Sequence, residues 1–226
     1  MISLSNIATS LSEQIKFVEA EKMYQEALKL KEKVLGKEDQ DTLTSMSNLA
    51  VLLTEQGKYK EAEKLHQKTL KLREKVLGKD HINTLQSMLN LAVSLARQEK
   101  FADAEQMLQD TVALQKKVLG KEHPETLVSM SWSAHVLREQ KKYAEAEQIL
   151  RETLALQKKV FGEKHPATLD SMFELAISLD GLERYVEAIS LMEECVQLMK
   201  EVLGPQHPYT QVSLEWLDYW QKQFES

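Results

Sequence analysis

The stretch Leu119-Gly120-Lys121-Glu122-His123-Pro124-Glu125-Thr126-Leu127 returns as Phe161-Gly162-Glu163-Lys164-His165-Pro166-Ala167-Thr168-Leu169. The interval is 42 residues, and it holds outward in both directions. Five of the seven glycines stand on it, at 36, 78, 120, 162 and 204, and threonines keep the same step at 42, 84, 126, 168 and 210. So do the aromatics Phe17, Tyr59, Phe101, Tyr143 and Tyr185, and the alanines Ala20, Ala62, Ala104, Ala146 and Ala188. Four independent ladders with one spacing mean a stacked repeat, since a fixed period of about 20–50 residues is the mark of solenoids and propellers.

Within one period the pattern is helical. Leu43, Met46, Leu49, Ala50 and Leu53 step by three and four and so share one helix face. Gln56-Gly57-Lys58 interrupts the pattern, and Tyr59–Leu77 resumes it with Ala62, Leu65, Leu70, Leu72 and Val76. That second segment is acidic early (Glu61, Glu63) and basic late (Lys68, Lys71, Arg73, Lys75), which complements a helix dipole. Gly78 follows the last basic turn, where positive φ ends a helix, and Pro124, Pro166 and Pro208 suit a first helical turn. The unit is a helix pair, and a lone pair cannot bury its apolar stripe, so neighbours must stack into one continuous core.

Composition agrees. The chain of 226 residues carries 29 Lys and Arg against 35 Asp and Glu, a formal charge of −6. A mildly acidic chain lacks the basic field that nucleic acid or an anionic membrane requires. Few Gly, Pro and aromatic residues argue against a β-sandwich or barrel. One cysteine, Cys195, excludes an internal disulfide framework, and no apolar run reaches the length of a membrane span. The expectation is a cytoplasmic helical protein.

The run Asn48-Leu49-Ala50…Gly57-Lys58-Tyr59…Ala62-Glu63 resembles the tetratricopeptide pattern. In that family a small residue of the first helix packs on an alanine twelve positions later; here the pairs are Ala8/Ala20, Ala50/Ala62, Ala92/Ala104, Ala134/Ala146 and Ala176/Ala188. The standard repeat has about 34 residues. The longer period, with Leu-Gly…His-Pro-x-Thr-Leu at the junction, is similar to the repeats of kinesin light chains. It is also similar to the C-terminal arrays of fungal and bacterial signalling proteins that couple a nucleotide-binding domain to repeats. The resemblance implies an all-α, right-handed superhelical solenoid. The expected divisions are five helix-turn-helix repeats over 1–42, 43–84, 85–126, 127–168 and 169–210, then a capping helix in 211–226, together one domain over 1–226. Residue 1 falls inside the first helix of a repeat, which suggests a piece of a longer natural protein or a designed array, with an upstream domain as one option.

No catalytic constellation emerges. Gly36-Lys37, Gly78-Lys79 and Gly120-Lys121 are followed by Glu38, Asp80 and Glu122 rather than Ser or Thr, so they are no phosphate loop. His81, His123, His165 and His207 share one phase, but equivalent residues of packed helices lie about 8–10 Å apart, too far to share zinc. Capping or packing explains them better. Cys195 on an apolar helix face reads as a buried thiol. The expected protein is not an enzyme and uses no cofactor or metal.

What remains is a surface. In the family the first helices line a concave groove, and the resemblance places positions 2, 5, 6, 9, 12 and 13 of each repeat there. Position 6 holds Asn6, Asn48 and Asn90, whose amides can hold the main chain of an extended peptide, or else bond to the neighbouring helix. Val51, Val93, Trp132, His135 and Phe173 would make side-chain contacts. Nothing basic stands where carboxylate-clamping members carry Lys or Arg, so such a clamp is not expected. The leading expectation is a non-catalytic scaffold that binds a peptide or protein segment. The alternatives are a ligand-sensing regulatory array of a nucleotide-binding signalling protein and a passive spacer or oligomerisation element.

Overall fold

The computed structural model describes residues 4–224, with side chains over 16–223. All regular structure among these residues is helical: α1 (Leu4–Val34), α2 (Gln40–Glu55), α3 (Tyr59–Leu77), α4 (Ile82–Ala96), α5 (Phe101–Val118), α6 (Pro124–Glu139), α7 (Tyr143–Val160), α8 (Pro166–Gly181), α9 (Tyr185–Val202) and α10 (Pro208–Phe224). The chain forms two compact units, Met1–Met107 and Leu108–Ser226, and α5 crosses from one to the other. Within each unit sequence neighbours pack in order: α1 on α2, α2 on α3 and α3 on α4 in the first, and α6 through α10 in the second. The architecture is an all-α solenoid of paired helices.

Two kinds of junction set the helix phase. At the tight inner turn the chain closes with a left-handed residue, Gly57 (φ 74°), Glu99 (60°), Lys141 (62°) or Glu183 (61°). The N–H after it donates to the carbonyl five residues back: Lys58 to Leu53, Lys100 to Leu95, Lys142 to Leu137, Arg184 to Leu179. That is the Schellman closure of a helix C-terminus. At the longer outer junction Gly78, Gly120 and Gly162 take φ near 90°, and nothing would obstruct a side chain there, so glycine is required for conformation rather than space. The carbonyl of each glycine accepts from the threonine ladder: Thr84, Thr126 and Thr168 donate at 2.8–2.9 Å. The histidines then cap the next helix. Nδ1 of His81, His123, His165 and His207 accepts from the backbone N–H two residues on at 3.1–3.3 Å, and Asp39 does the same for α2. These caps start the first helices at Gln40, Ile82, Pro124, Pro166 and Pro208, inside the preceding 42-residue block rather than at its border.

The first block differs from expectation. Instead of a helix pair over 1–42, α1 runs unbroken from Leu4 to Val34. The position that adopts positive φ at Gly57, Glu99, Lys141 and Glu183 is occupied by Ile15. A β-branched residue is a steric outlier in the left-handed region, so the helix continues where its counterparts turn.

The alanines of the ladders lie in the core. Ala50, Ala62, Ala92, Ala104, Ala134, Ala146 and Ala176 are fully buried and Ala188 nearly so. In the first unit Leu49, Leu53 and Ala62 pack with Leu28 of α1 and Leu65. In the second, Leu169, Met172, Leu175, Met192, Cys195 and Trp220 belong to one cluster. Charges also bridge successive repeats, as in Lys58–Glu21, Lys100–Glu63, Lys116–Glu152 and Arg184–Glu147, and Glu63 is one of those assigned above to a helix dipole. Their cations are largely exposed and three of the carboxylates half-buried, and each pair is worth about 0–1 kcal/mol.

Candidate functional site

Caps start α6, α8 and α10, and Schellman closures end α6 and α8, so equivalent positions line up along these helices. The residues that depart from the ladders meet on this side of the second unit. Glu174 of α8 accepts from Arg138 Nε of α6 and lies 3.2 Å from His135 Nδ1. Burial works against its ionisation, but the His135 hydrogen bond and the Arg138 charge outweigh it and hold the Glu174 pKa below the usual carboxylate value. Trp132 stands edge-on to His135, with ring centroids 5.4 Å apart and planes at 83°. One turn from Glu174, the exposed Asp170 opens onto a groove; partial loss of solvent and the negative Glu174 raise its pKa against the opposing pull of His135 and Arg138.

That groove encloses about 650 Å³ between α8, the end of α9 and α10. Its lining includes Leu169, Phe173, Met199, Leu203, His207 and Tyr209. The His207 and Tyr209 rings stack at 5.6 Å and 25°.

Of the residues singled out by sequence, Trp132 and His135 come into contact, and Phe173 lines the groove in the same unit. In the first unit Asn48 is exposed, and Val51, Asn90 and Val93 are half-buried. Asn90 accepts from Gln86 Nε2 at 2.9 Å and reaches Ser47 Oγ of α2 at 3.4 Å, so part of its amide is already used between helices. Asn6 lies outside the residues whose side chains are described. Arg138, Glu174, Asp170 and Tyr209 were not proposed from sequence. Their signal was departure from the repeat: position 2 reads Thr44, Gln86, Val128, Asp170 and Val212, with a single charge among them.

The Cys195 Sγ–H points to the Leu169 carbonyl at 3.4 Å, and burial pushes the thiol pKa up to about 12, far from a nucleophile. Among the described residues no three His, Cys, Asp or Glu side chains converge as metal ligands would, and no helix is long and apolar enough to cross a membrane.

A buried polar layer was also missed. Arg73 Nη1 donates to the Asn83 carbonyl and to Ser87 Oγ, both at 2.8 Å, and Lys31 does the same towards Asp41 and Ser45. At the next step of this ladder stands Gln115, fully buried, and neither its amide nor Ser129 Oγ has a partner.

Comparison with known proteins places the chain. Models of the tetratricopeptide repeat match residues 1–75, 41–117 and 125–201, and a second one matches 89–159. A single-site variant of the Podosopora anserina "putative kinesin light chain nearly identical TPR-like repeats" superposes with a TM-score of 0.72 at 26% identity, covering 87% of this chain and 92% of that one. BtubC (BKLC) from P. vanneervenii gives a TM-score of 0.75 at 16% identity, over 94% and 85% of the two chains, which speaks for the fold alone. MamA from Desulfovibrio magneticus RS-1 is more distant, with a TM-score of 0.53 at 15% identity, over 81% of this chain and 97% of that one. Curated proteins yield no match. With repeat models matching most of its length, this chain belongs to the tetratricopeptide repeat family, in the kinesin light chain-like form.

Proposed function

We propose that the protein is a non-catalytic scaffold that binds an extended peptide or protein segment along the first-helix face, with α10 closing an array of 42-residue units. The observation that carries this reading is an open, largely apolar groove at α8, α9 and α10, lined by Phe173 and by Glu174, which α6 reaches through His135 and its edge-on partner Trp132. These residues vary where the framework repeats, and a half-buried aromatic next to a groove is the kind of anchor that dominates peptide interfaces. Family membership supports an interaction role in general. In this reading Val51 and Val93 extend an apolar floor in the first unit, and Asn48 offers a free amide to a bound main chain.

A random dodecapeptide phage library panned on the full chain tests the proposal. Recovered peptides should bind the wild type and lose about tenfold or more in affinity to Trp132→Ala or Phe173→Ala, with helicity by circular dichroism unchanged. Peptides that ignore both substitutions, or no recovery at all, would remove the groove from the site.

A further inference from the structure

We infer that the α8–α10 groove is a pocket for a cationic side chain, Lys or Arg, carried by the bound segment next to an apolar residue. The inference rests on the peptide-binding reading above and adds the chemistry of the partner. Two carboxylates face this region, and their situations differ. Glu174 is already compensated, bonded to Arg138 and His135. Asp170 is not: no described residue donates a hydrogen bond to it, and no Lys or Arg lines the groove it faces. Arg138 and His135 act on it only at a distance, so one carboxylate is left without a bonded partner at the edge of an otherwise apolar recess.

That combination discriminates among occupants. An acidic segment would meet Asp170 and Glu174 at close range and be repelled. A purely apolar segment would fill the recess but shut Asp170 away from water without a partner, which is costly. A Lys or Arg side chain does neither. Its methylene stem lies along apolar surface such as Phe173, Leu203 and Val212 while its head reaches the carboxylate, the split that long cationic side chains make readily. The exposed Tyr209 ring (67% accessible), held against His207, offers an aromatic face in the groove lining, a second feature that attracts a cation. The formal charge of −6 draws such a segment in from a distance, more strongly at low salt.

The same library on the full chain provides the test, now read for charge. Recovered sequences should be enriched in Lys or Arg at a fixed distance from an apolar residue. A synthetic peptide of the recovered consensus should bind Asp170→Asn about tenfold more weakly than wild type. Replacing its basic residue with Gln should cost the same, and combining the two changes should add little, as expected of directly interacting partners. Glu163→Gln, an exposed carboxylate outside the groove, should leave affinity unchanged. If recovered peptides carry no basic residue, or bind Asp170→Asn as tightly as wild type yet still require Phe173, the cation pocket is wrong and peptide binding stands. If they need neither Phe173 nor Asp170, or nothing is recovered, both readings fall.

Discussion

In Met1–Met107 the first-helix face carries Asn48, Val51, Asn90 and Val93, none of them charged. In Leu108–Ser226 the equivalent positions carry Trp132, His135 and Glu174, with Phe173 and Asp170 beside them. Yet the capping geometry, the left-handed turns and the buried alanines around these residues recur in both units, with Asp39 in the place of the capping histidine at α2. A repeat separates two tasks: the ladder residues satisfy the backbone and the core, and the positions free to vary are where one unit can become different from another. The second unit uses that freedom for charge and aromatic surface. The first uses it for neutral contacts that are partly spent between its own helices.

The largest effect should come from the way each unit is closed. Trp220 of α10 is fully buried in the second unit, whereas Met23, Leu30 and Val34 of α1 are 65–76% exposed. Trp220→Ala should cost about 3–5 kcal/mol, as large-to-small changes of a buried aromatic do. Met23→Ala should stay within about 0.5 kcal/mol. Urea denaturation measures both, and a mild Trp220→Ala would mean that α10 is not integral to its unit.

Acid should separate the units next. His66 of α3 is buried, with only Thr54 Oγ1 at 3.5 Å beside its ring, and burial lowers its pKa to about 4. The folded value lies below the unfolded one, so the unfolded chain binds the extra proton between about pH 6.5 and 4. Stability from His66 is therefore full above pH 6.5 and lost as pH falls through that window, by about 3 kcal/mol at its end. The Glu174 pKa is lowered too, so its contribution is present above the unfolded carboxylate value and is lost only as pH falls below about 4.5. Hydrogen exchange at pH 5 should thus show α2 and α3 losing protection before α8, and His66→Leu should abolish that difference. Equal loss in both units would contradict it.

The buried polar layer gives a third contrast. Arg73 is satisfied in the first unit, and Gln115 is orphaned in the second. Arg73→Gln should cost about 1–3 kcal/mol by leaving Ser87 and the Asn83 carbonyl unpaired. Gln115→Arg should raise stability by about 1 kcal/mol if it recovers the bonds to Ser129 and the 125 carbonyl. Thermal melts of the two variants should move in opposite directions.

The 42-residue period was legible because glycine, threonine, alanine and histidine each do one backbone or packing job per repeat that few other residues can do. His81, His123, His165 and His207 show this well: their shared phase pointed to capping, and the ring nitrogens accept the expected N–H. The unbroken α1 was not legible. Its cause, Ile15, matters only once it is known that Glu99, Lys141 and Glu183 adopt positive φ, and a glycine marks that turn only at Gly57. The candidate site was half legible. Trp132, His135 and Phe173 stand out by type, but the pairing of Glu174 with Arg138 joins residues 36 apart on different helices. No local pattern announces it. The free Asp170 is defined by what surrounds it, which sequence cannot supply.

The smallest contrast concerns the asparagines. Asn90→Ala should cost about 1 kcal/mol, since it breaks contacts to Gln86 and Ser47, while Asn48→Ala, at an exposed position, should cost under about 0.5 kcal/mol. Equal effects would mean that Asn90 gains nothing from its neighbours, and urea titration resolves the difference.

The measurement that bears most directly on the division between framework and face is a hydrogen-exchange footprint of the full chain with a library-recovered peptide bound. Protection should rise in α6, α8 and α10, centred on Asp170 and Phe173, and change little in α3, α7 and α9 outside their ends. Protection confined to α2 and α4, or to the second helices, would contradict it.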